Sequence, residues 1–359
     1  MEKLSELEGI LKQDLGWNKA RLACFARMLI SLLTIRSVNL SKLAVLFSSA
    51  AQISSRYRRL QRFFALFCFD YDQIASLLFK LFFISGESWY LTVDRTNWQW
   101  GKSDINVLML GIVYRGAAIP IYWELLDKCG NSDTAERIAL IKRFIDRFGK
   151  DCIGGLLADR EFIGGDWFNW LLKEEIPFYI RIKKNHITTN AQGLEVEISA
   201  LFYGLSPQEK RILKGKRQLF GEAVYLAGLR QDDGELLIIA TSEPPENAIE
   251  LYALRWQIET LFGCFKGRGF NFEDTHITTL DRIKKLLVLL AIAFAWAHKT
   301  GEWRHETIKK IKIKKHGRLA VSYFRYGLDF MADAIIKIHN NTLLFKHCLD
   351  RISQAGLRA

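Results

Sequence analysis

From Ser88 to Lys184 the chain switches between two periodicities in an order that few folds can accommodate. WYLTVD, INVLMLGIVYRG and AAIPIYWELLD are β-branched and aromatic runs parted by short polar or Gly-containing turns, the pattern of three successive strands. NSDTAERIALIKRFIDRFG then reads as a helix, with Asp133 as its cap, Glu136 three residues on and Gly149 at its end. CIGGLLAD is a buried strand, GGDWFNWLLKEE a helix and IPFYIRIKK a further strand. Short turns make the first three strands antiparallel, whereas strands reached through helices run parallel. The order β-β-β-α-β-α-β therefore calls for one mixed sheet with helices packed against it.

That is the order of an RNase H-like core, and the expected class is α/β, with a β-rich insertion in the core and helical regions at both ends. Five segments follow: a helical DNA-binding region at 1–86, the first part of the core at 87–184, the insertion at 185–246, a returning helix and its successor at 247–298, and a basic helical region at 299–359. Residues 1–86 lack proline and repeat apolar residues at three- and four-residue spacing, with twelve Lys and Arg against six acids. Within them, VNLSKLAVLFSSAAQISSRYRRLQRFF reads as two short helices with a break near Ser48 to Gln52. The second presents Arg56, Arg58, Arg59 and Arg62 beside an apolar stripe of Leu60, Phe63 and Phe64. It is either part of a helix-turn-helix-like DNA module or an ordinary bundle with a solvated basic face.

The whole chain carries 51 Lys and Arg against 39 Asp and Glu, a net charge of +12 that favours polyanionic partners. Its six cysteines are scattered with no CxxC pair, which argues against a zinc site and a disulfide framework and fits a reducing compartment. The charged, amphipathic start does not resemble a secretory signal, and the apolar stretch from Leu286 to Ala297 is too short to span a bilayer. A cytoplasmic, nucleoid-associated protein with no membrane partner is expected. Basic clusters at Lys210, Arg211, Lys214, Lys216 and Arg217, and from Lys299 to Arg318, are DNA contacts or solvated faces. His186 and His276 read as incidental rather than metal ligands.

Two acids fall where an open sheet holds its ligands. Asp94 is expected to end the first strand and Asp159 ends the fourth; in the proposed order those ends are neighbours. Two such carboxylates repel unless they share cations, and hard oxygen donors suit Mg²⁺ or Mn²⁺. A third acid nearby would complete a two-ion site that clamps a phosphodiester. The returning helix supplies one. In YALRWQIETLFGCFK, Tyr252, Arg255, Glu259 and Lys266 are spaced along one helical face, which suits a helix beside a phosphate backbone better than the alternative, a salt-bridged solvent face with Arg255 on Glu259.

These residues resemble the DDE transposases of bacterial insertion sequences, in particular the subgroup with a Tyr-Arg-Glu-Lys pattern: Y, two residues, R, three residues, E, six residues, K. Tyr252, Arg255, Glu259 and Lys266 match it fully, and LTVDRTNWQWG and LLADREF are similar to the family's two Asp boxes. The resemblance implies that Asp94, Asp159 and Glu259 bind two Mg²⁺ or Mn²⁺ ions; by their chemistry Arg255, Lys266 and Tyr252 are expected to contact phosphates, and Arg160, next to Asp159, is a further candidate. The resemblance further implies cut-and-paste transposition through a hairpin intermediate, on the terminal inverted repeats and target DNA, by a homodimer. A hairpin needs an unstacked base, and Trp98 and Trp256 are candidates to receive it or else are core. The insertion offers Phe202, Tyr203, Phe220 and Tyr225 but no Trp, a departure from relatives. Glu161 reads as structural. Competing readings are an RNase H-fold nuclease without strand transfer and a domesticated DNA-binding protein. A glycosidase with paired carboxylates leaves the basic charge unexplained.

Overall fold

The computed structural model describes residues 2–353 apart from 48, 84–85, 316 and 339. Five helices come first: α1 (Glu2–Asp14), α2 (Lys19–Ile35), α3 (Leu40–Leu46), α4 (Ile53–Leu66) and α5 (Tyr71–Phe82). Asn18, Asn39 and Asp70 cap α2, α3 and α5, each side-chain oxygen accepting from a first-turn N–H. The break between α3 and α4 covers 47–52, of which Ser48 lies outside the described residues. Arg56 braces this break by donating to the carbonyls of Ala51 (2.7 Å) and Ser49 (2.6 Å). It is thus a loop brace, and the exposed basic face of α4 is left with Arg58, Arg59 and Arg62. Leu60, Phe63 and Phe64 turn inward, as the stripe requires.

The sheet follows as β1 (Trp89–Trp100), β2 (Ser103–Tyr114) and β3 (Ala117–Leu125). Next come α6 (Thr134–Phe148), β4 (Ile153–Ala158), α7 (Gly165–Lys173) and β5 (Phe178–Ile182). Its first five strands lie in the order β3-β2-β1-β4-β5. The β3-β2-β1 part is antiparallel and the β1-β4-β5 part parallel, the arrangement of an RNase H-like core. Helix α6 opens on a full capping box between Asp133 and Glu136.

The segment after β5 is β-rich, with β6 (Ile187–Thr189), β7 (Glu195–Glu197), the short α8 (Ile198–Leu201), β8 (Lys210–Ile212), β9 (Arg217–Leu219), β10 (Glu222–Arg230) and β11 (Leu236–Thr241). Much of it extends the main sheet. Strand β11 pairs antiparallel with β5, β10 with β11, and β8 with β10, giving nine strands in all, with β9 on β10. The reason is in LLIIAT: every position of β11 is buried, and a strand apolar on both faces belongs inside a sheet. Strands β6 and β7 alone form a separate ribbon.

Helices close the chain: α9 (Ala248–Ala253), α10 (Trp256–Phe265), α11 (Leu280–Thr307), α12 (Tyr323–Ile336) and α13 (Thr342–Ser353). The boundary expected between 298 and 299 falls inside α11, which runs unbroken and is buried from Leu286 to Glu302. Lys299 accordingly does not belong to a basic surface; it is buried and paired with Glu302 at 3.1 Å. Helices α11 and α12 touch backbone to backbone. A Cβ on Gly301 would lie 1.8 Å from Tyr323 O, and one on Gly327 1.8 Å from Ala297 O, so neither position admits a side chain. Among the described residues no single helix is long and apolar enough to cross a membrane; Leu286 to Ala297 is the interior of α11.

Candidate active site

Parallel pairing of β1 with β4 stops at Val93 and Ala158, so the next residues, Asp94 and Asp159, stand side by side beyond it. The expectation that Asp94 ends its strand is corrected here. β1 continues to Trp100, paired beyond that point with β2 alone. What ends at Asp94 is the parallel contact, and a crevice opens there because one neighbouring strand has left.

The returning helix, expected to be continuous, breaks after Ala253 into α9 and α10, with Leu254 and Arg255 in a tight turn. The turn sets the basic side chain among the acids. Arg255 Nη1 donates to Asp94 Oδ2 at 3.1 Å, and its Nη2 to Glu259 Oε1 at 2.7 Å. Its Nε reaches Tyr252 Oη at 3.2 Å, and that hydroxyl donates to Asp159 Oδ1 at 3.3 Å. Two side chains, one of them a cation, thus tie all three acids together. Gln257 fixes α10 to the β2–β3 turn by accepting from Tyr114 N (3.0 Å) and Gly116 N (3.2 Å).

The electrostatics follow from burial. Loss of water pushes the Asp94 carboxyl up to about 7, against the pull of Arg255 and with a further push from Glu161 and Asp159. Burial likewise raises the Tyr252 phenol to about 12, which keeps it a proton donor. The Arg255 guanidinium, also buried, is held above its ordinary value because Tyr252, Glu259, Asp94 and Asp159 outweigh its desolvation. It stays charged.

Two residues outside the expected set support this geometry. Arg95 forks onto Glu161 at 2.7 and 3.0 Å and onto Asn106 at 2.8 Å, joining β1 to the loop after β4. Arg137 on α6 is buried and donates to the carbonyl of Glu161 at 3.0 Å. Adjacency to the Asp boxes was the one sequence signal for Arg95; a buried arginine on an amphipathic helix leaves none.

The other candidates lie in varied settings. Arg160 is exposed, and its backbone N–H donates to Asp159 Oδ1 at 2.7 Å. Trp256 projects from the first turn of α10 and is 63% exposed. Trp98 packs edge-on to Phe272 at 4.7 Å, with Lys266 Nζ 5.8 Å from its ring centre, so it serves as packing here. Lys266 ends α10 and pairs with Glu273 at 2.7 Å, not with the three acids. Of the insertion's aromatics, Phe202 is buried and Tyr203 is 84% exposed.

Among the described residues no group of three or more His, Cys, Asp or Glu side chains is placed to hold a metal ion. The physical reason is visible: the Arg255 guanidinium lies between Asp94 and Glu259. The donor set nevertheless fits a hard divalent cation, being three carboxylates that already gather around one positive charge.

Residues 86–296 match the family model of the transposase DDE domain. The chain belongs to the DDE transposase family. No curated protein matches this transposase. The cryo-EM structure of a piggyBac transposase synaptic complex with hairpin DNA matches 99% of this chain and 83% of that one, at 11% identity and a TM-score of 0.45.

The raised Asp94 value makes the metal-free transposase pH-sensitive. A carboxyl at about 7 in the folded state, against 3.8 in the reference, holds a proton that the unfolded chain has released. Its contribution to stability is complete below the lower value and is lost as pH rises through the upper one. Asp94→Asn, neutral throughout, is therefore expected to melt higher than wild type at pH 8 and with little difference at pH 4. Thermal melts in EDTA measure this, and a gap that does not widen with pH contradicts it.

Proposed function

We propose that this transposase is a cut-and-paste enzyme of the insertion-sequence subgroup with the Tyr-Arg-Glu-Lys pattern. On this reading it cleaves the ends of its element and joins the freed 3′-hydroxyl to target DNA. The observation that carries the reading is the convergence of Asp94, Asp159 and Glu259 on the linked Arg255 guanidinium and Tyr252 hydroxyl at the mouth of the sheet.

Asp94, Asp159 and Glu259 are the residues that would hold two Mg²⁺ or Mn²⁺ ions. When bound, such ions lower the pKa of an attacking water or hydroxyl and stabilise the leaving oxygen of an in-line phosphoryl transfer. Arg255 plays a double part, neutralising the acids in the free protein and contacting a DNA phosphate once the acids are otherwise satisfied. Tyr252, a proton donor at any physiological pH, orients Asp159 in the free protein and turns the same proton to a phosphate of that backbone once Asp159 is otherwise satisfied. Exposed Trp256, beside Glu259 on α10, suits the stacking of an unpaired base such as a hairpin tip requires. Lys266 and Arg160 add phosphate contacts, with a homodimer bringing two element ends together on DNA in a bacterial cytoplasm.

The test is to mix pre-cut DNA from the flanks of the gene with supercoiled plasmid, the protein and Mg²⁺ or Mn²⁺. Joined products are expected. Cut products with no joining would transfer the assignment to a nuclease.

A further inference from the structure

The third acid is held in place differently from the other two. Asp94 and Asp159 lie at the ends of one parallel pairing, so the sheet itself sets their spacing. Glu259 arrives on α10, after the whole insertion, and no strand pairing reaches it. In the free protein Arg255 holds it, but a bound ion would displace that guanidinium. Gln257 provides a second hold. Among the described residues it is the one side chain of α10 hydrogen-bonded to the sheet, its Oε1 accepting from Tyr114 N at 3.0 Å and Gly116 N at 3.2 Å. Two positions before Glu259, or about 200° around the helix, it grips the sheet from the far side and leaves the carboxylate free. Helix α10 has no side-chain cap at its N-terminus, so these two bonds tether its first turn.

The turn that Gln257 grips is itself held from behind. Arg115 and Gly116 join β2 to β3 with φ of 43° and 91°, the two positive values that a two-residue hairpin turn demands. The first is a costly conformation for an arginine. What arginine supplies there is a bond to α11, where its Nη1 reaches Glu302 at 2.5 Å and also meets Glu306 one turn on. Tyr114 Oη donates to the same Glu302 at 2.6 Å. Against burial, Lys299, Tyr114 and Arg115 keep the Glu302 carboxyl below its ordinary value, so it stays charged. Glu302 follows Gly301, where α11 and α12 touch backbone to backbone.

We propose that Gln257 is a positioning residue for Glu259, tying the catalytic helix through the β2–β3 turn to Glu302 of α11. Its side chain faces the turn and acts by keeping the first turn of α10 in place once Arg255 has left the acids for phosphate. Mg²⁺ accepts little departure from octahedral geometry, so a donor displaced by about 1 Å weakens both ion binding and rate.

This role rests on the transposase reading for its ion and its reaction. Full-length wild type is compared with Gln257→Met, Gln257→Glu and Arg115→Gly. A methionine side chain has the length of glutamine without the acceptor. Gln257→Met is expected to lower kcat for end cleavage and calorimetric affinity for Mg²⁺ roughly tenfold each, with KM for DNA unchanged. In EDTA the Gly116 amide, which sits in an exposed turn, should exchange hydrogen faster, a readout that needs neither ion nor DNA. Gln257→Glu keeps an oxygen acceptor and should restore most of the rate and the affinity. Arg115→Gly suits the backbone of the turn but cuts its tie to α11, so it should melt near wild type and still cleave roughly threefold more slowly. A merely structural role would follow the melting temperature and not the acceptor. Wild-type kcat and Mg²⁺ affinity in Gln257→Met, or equal losses in Gln257→Glu, overturn the proposal. A raised KM with kcat intact also overturns it, by making Gln257 a DNA contact. Wild-type protein that neither binds Mg²⁺ nor cuts would remove the transposase reading, and this role with it.

Discussion

Glu259→Gln protein is expected to fold and bind duplex DNA as the wild type does, and to cut it about a thousandfold more slowly or worse. The two halves of this expectation have separate origins. Glu259 is half-buried at the surface of α10, and its recorded ion pair among the described residues is the i,i+4 contact with Arg255. Gln Oε1 can still accept from the buried guanidinium, which keeps its contacts with Asp94 and Tyr252. Stability should hardly move. On the proposed two-ion reading, catalysis depends on the charge. Exchanging a carboxylate for an amide removes one of three anionic donors from the place where transition-state charge is met, an effect of several kcal/mol, and each 1.36 kcal/mol is tenfold in rate. Gel assays of end cleavage with Mg²⁺, run beside anisotropy in EDTA and a thermal melt, separate the three quantities. Cleavage within tenfold of wild type would remove Glu259 from the active site.

The order of elements could be read along the chain because each left a local mark. The alternation in WYLTVD, the Asp133–Glu136 box and the turn at Gly149 depend on neighbours in sequence, and the structure has all three. Pairing between distant strands leaves no such mark. LLIIAT announces a buried strand, but nothing in it names β5 as the partner, so the insertion's membership of the main sheet was not visible. The same limit applies at Asp94. TNWQW continues as a strand whose outer edge has lost β4, and a periodicity that reports exposure cannot tell a strand end from the end of one pairing. The break at Leu254 and Arg255 was hidden for another reason. Neither residue disfavours helix, and the turn owes its place to what Arg255 reaches, a buried carboxylate 161 positions away. The tertiary contact, not local propensity, decides there. Trp98 illustrates the converse, since one aromatic four residues past an acid reads alike whether it stacks on a base or on Phe272.

Arg255→Ala should separate metal binding from DNA cleavage in opposite directions. In the free protein a divalent ion must displace a guanidinium that is 3.1 Å from Asp94 and 2.7 Å from Glu259. If the open arrangement is populated at about a tenth or less, its apparent affinity for Mg²⁺ is reduced by the same factor, and removing the plug should restore at least about tenfold. The two carboxylates, left to repel each other, add to that gain. A proton competes for the same site, because Arg255 is the main influence holding the Asp94 value down and its loss lets burial push that value above about 7. Calorimetric titration with Mg²⁺ is therefore made at pH 8.5 and repeated at pH 6.5, where the gain should be smaller. Cleavage should nevertheless fall, since the freed acids gain an ion while the DNA loses a phosphate contact. Arg255→Lys, keeping the charge without the fork, should lie between the two. Tighter Mg²⁺ binding with slower cutting is the pattern expected of a residue that exchanges acids for phosphate as DNA arrives. Unchanged or weaker Mg²⁺ binding at pH 8.5 would mean that the guanidinium does not stand in the ion's way.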